Sequence, residues 1–260
     1  ALKTLHQQRR KATKEKSRRL ASLRVEDLPP RVFVLDFTGD LAASATANLR
    51  EEITAILQVA RPQDEVLLRL ESEGGVVHGY GLAASQLQRL RARRLRLTVA
   101  VDKVAASGGY LMACVADEII AAPFAIVGSI GVVAQVPNVH RLLQKHDVDM
   151  EVHTAGEYKR TLSIVGRNTE AGRRKFREEL DDTHALFKEF VAAHRPQLDL
   201  DAVATGEHWF GSRAQALRLV DQLLTSDDWL LQRLGNAEVF GLRYRRRKPL
   251  AERLQFSLFK

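Results

Sequence analysis

The sequence predicts an α/β fold with parallel sheet layers and flanking helices. Three observations carry that expectation. Short apolar runs bounded by turn residues, Val32 to Phe37 (VFVLDF), Val66 to Leu70 (VLLRL) and Leu97 to Val101 (LTVAV), have the length and composition of buried strands. Segments with helical spacing separate them, and the order strand, helix, strand, helix, strand implies a parallel layer joined by crossovers. A chain of 260 residues with 45% hydrophobic and 28% charged residues has apolar material for one large domain or two small ones, which excludes a disordered or collagen-like chain.

In chain order, Pro29 and Pro30 punctuate before the first strand. A helix follows over Thr46 to Ala60, where Leu49, Ile53, Ile56 and Leu57 recur at helical spacing and Pro62 ends it. After the second strand come Gly74 and Gly75, then a helix carrying Leu82, Leu87 and Leu90. Beyond the third strand the pattern reads as a short helix over Gly109 to Val115, strands at Ile119 to Ala121 and Ile130 to Val133, a helix over Val139 to Lys145 and a strand at Met150 to Thr154. A long helix from Glu170 to His194 carries Phe176, Leu180, Leu186, Phe187 and Val191, and Pro196 closes it. Thr205 to Gly211 and Ala214 to Val220 read as a small terminal αβ cap, and nothing marks a second independent domain.

The formal net charge of +8 misdescribes the body of the chain. Residues 1–24 hold nine Lys or Arg against Glu15, and residues 243–260 hold seven against Glu252, so the stretch between them is acidic. The organisation expected is a basic arm over 1–28, one domain over 29–242 and a basic tail over 243–260. The arm, with Arg9, Arg10, Lys11, Lys14, Lys16, Arg18 and Arg19, reads as solvated and membrane-proximal, and no nucleic-acid partner is expected. Cys114 is the sole cysteine, which excludes an intrachain disulfide and a thiolate zinc site; no metal or cofactor is expected. Ala1 is followed by no signal-type apolar core, and the chain reads as a trimmed product. The longest apolar stretch, Val104 to Ala134, contains Asp117 and Glu118, each costing roughly 2.5–3.5 kcal/mol at mid-bilayer, so it reads as buried core.

The chain has no G-x-S-x-G elbow, H-E-x-x-H, P-loop or G-x-G-x-x-G. Ser107, in Ala105-Ala106-Ser107-Gly108-Gly109, directly follows a predicted strand and starts a helix, where Gly108 presents an unpaired N–H suited to an oxyanion. A second glycine-rich strand end, Glu71-Ser72-Glu73-Gly74-Gly75, lies one strand earlier, and parallel neighbours bring both to one sheet edge. Each glycine pair alone fits a tight turn; together they suggest a two-donor oxyanion hole. The serine needs a base. His78, His140, His146 and His153 read as surface or capping residues. Arginine stays charged, leaving Lys103, Lys145, Lys159, Lys175 and Lys188 in the body. Lys159, in Gly156-Glu157-Tyr158-Lys159-Arg160 after an expected strand end, is the best candidate. To accept a proton near neutrality such a lysine must be disfavoured as a cation by about 4 kcal/mol, which burial beneath substrate can supply. Ser129, in Gly128-Ser129-Ile130-Gly131, fits either a lysine-orienting hydroxyl or a turn.

Through these residues the sequence resembles the signal peptide peptidase A family, peptidase family S49, and within it the SohB-type inner-membrane branch. The blocks that carry the likeness are ESEGGVVHGYGLAASQLQRL, VDKVAASGGYLMACVAD, APFAIVGSIGVVAQ, HTAGEYKRTL and ATGEHWFG. The resemblance implies a Clp-protease/crotonase-like fold and a serine endopeptidase with Ser107 as nucleophile, Lys159 as general base, Ser129 orienting the lysine, and Gly75 and Gly108 donating to the oxyanion. It also implies an extended peptide substrate, a homo-oligomer, and residence at a bacterial inner membrane through an anchor upstream of Ala1, with the membrane face left open. Glu73 stands where the family carries proline; a carboxylate near Lys159 would favour the charged lysine. A silent scaffold on the same fold, and a crotonase-like acyl-CoA enzyme sharing the two-glycine geometry, are the competing readings.

Overall fold

Residues 28–245 are described by the structure, a computed structural model. Most of the expected basic arm and tail lies outside them. The frame is a six-stranded, all-parallel sheet of β1 (Arg31–Thr38), β2 (Glu65–Glu71), β3 (Arg96–Val101), β5 (Glu118–Ala121), β8 (Gln222–Leu223) and β9 (Glu238–Gly241), in the order β8-β5-β3-β2-β1-β9. A second, three-stranded sheet joins β4 (Val104–Ala106), β6 (Ile126–Gly128) and β7 (His208–Phe210), with β4 parallel and β7 antiparallel to β6.

The first strands are continuous apolar runs because both faces of the large sheet are covered. Phe33, Leu35 and Phe37, with Val66, Leu68, Leu70, Leu97, Val99 and Val101, face a core closed by α1 (Thr46–Val59) and α2 (Val77–Ala92). Val32, Val34, Leu67, Ala100 and Ile120 face the opposite side and pack with Trp229 of α8 (Ser226–Arg233). Each fully buried side chain of this size contributes about 1.5–3 kcal/mol. In α1, Leu49, Ile53 and Ile56 are buried, as their spacing requires; in α2, Leu87 and Leu90 are buried, whereas Leu82 faces outward. The helix α3 (Gly108–Ala113) is buried throughout.

Three expectations are corrected. The strand expected at Ile130 to Val133 is displaced to β6, because Gly128 (φ 109°) and Ser129 (φ 53°) turn the chain out of extended conformation, leaving Val133 84% exposed. Met150 to Thr154 forms no strand; Met150 and Val152 are exposed and find no edge to pair with. The segment after Thr205, expected as a small terminal αβ cap, is built into the sheets instead. Its strands complete both sheets: β7 pairs with β6, β8 with β5, and β9 with β1. An unpaired edge is a row of unsatisfied donors and acceptors, and these short C-terminal segments cover three of them.

Residues 131–169 form an excursion with one short helix, α4 (His140–Lys145). Its base is tied: Asn138 Nδ2 donates to the carbonyls of Ser163 and Gly166, and Ser163 N–H donates to Asn168 Oδ1. The long helix α5 (Glu170–His194) begins at Thr169, whose hydroxyl accepts from Gly172 N–H. Among its residues only Val191 is fully buried. Two further short helices are α6 (Leu200–Val203) and α7 (Gly211–Ala216). No helix among the described residues is long and apolar enough to cross a membrane.

Candidate active site

Ser107 joins β4 to α3 at φ 51°, ψ −118°, a left-handed conformation that a side-chain-bearing residue occupies only when its surroundings impose it. The imposing contacts are on either side. Ser107 N–H donates to Gly128 O at 2.8 Å, and Leu111 N–H donates to Ser107 O at 3.0 Å. The serine's own N–H is therefore occupied, whereas among the described residues nothing accepts from Gly108 N–H.

The end of β2 is stitched to β4 by Ser72 N–H donating to Val104 O (2.9 Å) and Ala106 N–H donating to Ser72 O (3.0 Å). That stitch lays residues 72–75 against the serine turn. At Gly74 (φ 96°) an added Cβ would stand 2.7 Å from Ser107 Cβ, 2.8 Å from Gly108 N and 2.9 Å from Ala106 O, so glycine alone permits the approach. Gly75 is equally confined, against the backbone of Leu41, and among the described residues its N–H also has no acceptor. Ser129 follows Gly128, the residue whose carbonyl receives Ser107 N–H, and is itself held by donation to Glu207 O at 2.6 Å. Both serines are half-buried.

The fold thus brings Gly75, Ser107, Gly108 and Ser129 together. Lys159 makes no hydrogen bond to any of them among the described residues. It lies on an exposed turn, Lys159 N–H donating to Gly156 O, with no strand before it. Its neighbour Tyr158 lies beneath Lys175 Nζ at 5.1 Å, near the start of α5. The turn of α5 that packs on the core, at Val191, is about 24 Å farther along the helix axis at 1.5 Å per residue. Among the described residues no hydrogen bond or ion pair joins the Lys159 side chain to Ser107 or Ser129. Lys103 is paired with Glu71 at 2.9 Å, and Lys175 with Glu178. Glu73 is exposed and forms no ion pair among the described residues. His78 and His146 are exposed, and His153 pairs with Glu151 on the surface. No cluster of His, Cys, Asp and Glu among the described residues has a metal-holding arrangement.

Two residues of this site went unnoticed in the sequence, Ser72 and Tyr80. Ser72 Oγ accepts from Gly74 N–H at 3.1 Å and lies 2.6 Å from the Tyr80 hydroxyl. A tyrosine between Gly79 and Gly81 on an otherwise Leu/Ala-rich helix face is the one available signal, since a buried phenol needs a partner.

Residues 1–87 match the family described as Peptidase family S49 N-terminal, and residues 89–239 match Peptidase family S49. A Haemophilus influenzae protein named "Probable protease SohB" is 63% identical over 222 residues, which are 85% of this chain and 63% of that protein. A protein of the same name from Buchnera aphidicola subsp. Acyrthosiphon pisum is 58% identical over 228 residues, 88% of this chain and 68% of that one. The chain therefore spans less than two thirds of the length of the first relative. Among solved structures, the membrane-bound stomatin-specific protease 1510-N, determined as a mutant, aligns at TM-score 0.56 and 14% identity over 84% of this chain and 100% of the other. That likeness is one of fold, and the parallel sheet layers with flanking helices are those of the Clp-protease/crotonase-like class. The serine turn falls within the second matched segment and the glycine loop facing it within the first, and a chain matched so nearly end to end belongs to peptidase family S49.

Proposed function

We propose that this chain is a serine-type endopeptidase acting through Ser107 and Lys159. The observation that carries the reading is the Ser107 turn, a strained serine beside the glycine loop, with the N–H groups of Gly75 and Gly108 lacking acceptors among the described residues. Ser107 Oγ attacks a peptide carbonyl as Lys159 Nζ takes its proton, giving a tetrahedral intermediate whose oxyanion accepts from Gly75 and Gly108 N–H. Lys159 then protonates the departing amine, and water, activated by the same lysine, releases the acyl group. Ser129 Oγ orients the lysine. The substrate lies extended along the sheet edge, its small or apolar side chains facing the segment Val104 to Ala134.

A lysine serves as a base only when taken out of water, and Lys159 is exposed in the single chain. The excursion around it exposes Leu142, Met150, Val152, Tyr158 and Ile164. In our reading these bury against a second copy in a homo-oligomer and deliver Lys159 to the partner's serine turn. The substrates are membrane-associated or misfolded proteins or signal-peptide remnants at the inner membrane, and the basic residues before Leu28 lie close to that surface.

The test is covalent labelling of Ser107 by a fluorophosphonate. Labelling is expected in the wild-type chain, absent in Ser107→Ala and slowed at least about 100-fold in Lys159→Ala. Mixing the two inactive variants is expected to restore part of the peptidase activity. Equal casein cleavage by wild type and Ser107→Ala would remove the reading; failure of mixing alone would remove only the shared dyad.

A further inference from the structure

We propose that Tyr80 is a positioning residue for the oxyanion hole, a strut that sets the placement of both N–H donors at once. The proposal rests on the peptidase reading for its catalytic consequence, and on geometry for the strut itself.

The hydroxyl end of Tyr80 holds the glycine loop. Gly74 N–H can only donate, so Ser72 Oγ accepts from it at 3.1 Å. The Asp40 carbonyl can only accept, so the Tyr80 hydroxyl donates to it at 2.9 Å. The 2.6 Å contact between the two hydroxyls then has one possible sense, Ser72 Oγ–H donating to Tyr80 Oη. Gly74 N–H, Ser72, Tyr80 and Asp40 O form a chain of bonds with no rotational freedom left. Ser72 is 2% exposed and Tyr80 0%, so water does not compete for the link between the two hydroxyls. Burial raises the phenol above its ordinary range despite the Ser72 bond, which keeps it a donor. Gly39 supplies the space: an added Cβ there would stand 2.8 Å from Ser72 Cβ and closer still to both hydroxyl oxygens.

The ring end of Tyr80 supports the other donor. A Cβ on Gly108 would meet Tyr80 Cδ2 at 2.7 Å and Cβ at 2.9 Å, so the ring lies directly beneath that residue. Phe37 holds the ring edge-on, with centroids 6.4 Å apart. One buried side chain therefore touches Gly108 directly and reaches the Gly74–Gly75 loop through Ser72. An oxyanion hole depends on the spacing of its N–H groups, which must match the transition state rather than the ground-state carbonyl.

Tyr80→Phe keeps the ring and breaks the chain of bonds; Ser72→Ala breaks it at the next link without touching the ring. In each, kcat is expected to fall about tenfold, less than the 10²–10³ for outright loss of a donor, with KM within about twofold. Affinity for a peptide aldehyde, which forms a tetrahedral adduct on Ser107, is expected to fall in step with kcat. The double variant is expected to be no slower than either single one, because both break the same chain. Independently of activity, amide hydrogen exchange over residues 72–76 is expected to quicken about tenfold while exchange in β1–β3 stays unchanged. Unchanged kcat and aldehyde affinity in an active enzyme, or a rise in KM matching the fall in kcat/KM, would overturn the catalytic role. Unchanged exchange at 72–76, or quickening throughout the sheet, would overturn the strut. Absence of Ser107-dependent turnover in the wild-type chain would instead remove the peptidase reading and the catalytic role together, the exchange result still deciding the strut.

Discussion

At Gly74 the conformation and the contact act together. A φ of 96° is costly for any residue with a Cβ, and the added atom would press on Ser107 Cβ, Gly108 N and Ala106 O at 2.7–2.9 Å. Two of those neighbours are backbone and cannot rotate away. Gly74→Ala is therefore expected to lower stability by about 1–3 kcal/mol and turnover by at least about 100-fold, read by urea unfolding beside a peptidase assay. Both glycine pairs and Ser107 were legible in the sequence, because glycine has few reasons to follow a strand twice in succession. Ser72 and Tyr80 were not: the hydroxyls that hold the loop meet each other and the Asp40 carbonyl only once β1, β2 and α2 are packed together.

Among the elements, α1 and the chain leaving β9 are joined by a buried carboxylate. Glu52, 7% exposed, accepts from Tyr244 N–H at 2.8 Å. Burial raises its pKa above the usual carboxylate range, outweighing that hydrogen bond, and Asp36 adds to the rise. A carboxyl raised in the folded state contributes stability that is fully present below its unfolded value and is lost as pH rises through the folded one. Glu52→Gln keeps an acceptor for Tyr244 without the charge. It is expected to raise Tm at pH 7 by roughly 2–4 °C, the effect of about 1 kcal/mol in a domain of this size, with the gain closing by pH 4. Thermal unfolding of both proteins at the two pH values checks this. The central strands and helices were readable as elements because their periodicity is local. Two expected strands failed for reasons not local to them: the positive-φ turn at Gly128 and Ser129 moves the first from Ile130 to Val133 back to β6, and Met150 to Thr154 stays exposed without a strand partner.

Over the whole molecule, Arg195 closes the end of α5 onto the sheet. Its guanidinium, 3% exposed with the rest of the residue, donates to Asp221 Oδ2 at 2.8 Å, Asp221 Oδ1 at 2.7 Å and Arg218 O at 2.9 Å. Asp221 Oδ2 also accepts from Ile119 N–H in β5, and Tyr110 of α3 donates to Leu219 O. One ion pair thus ties the end of the long helix to the start of the β5–β8 edge, and the Tyr110 bond joins the helix that follows Ser107 to the segment just before it. Arg195→Leu is expected to cost about 3 kcal/mol, the lower end for breaking a buried pair because Asp221 is 35% exposed on its side chain, and chemical denaturation measures it. The sequence by itself determined the α/β class, the parallel core and the Ser-Gly-Gly turn, since apolar runs, helical spacing and turn chemistry are properties of neighbours along the chain. Only the tertiary structure decided that the C-terminal strands complete both sheets, that Tyr80 lies beneath Gly108 and reaches the Gly74 loop through Ser72, and that Lys159 lies on an exposed turn. Edge pairing, buried hydroxyl partners and the path of an excursion depend on residues far apart in sequence, which meet only when the core closes.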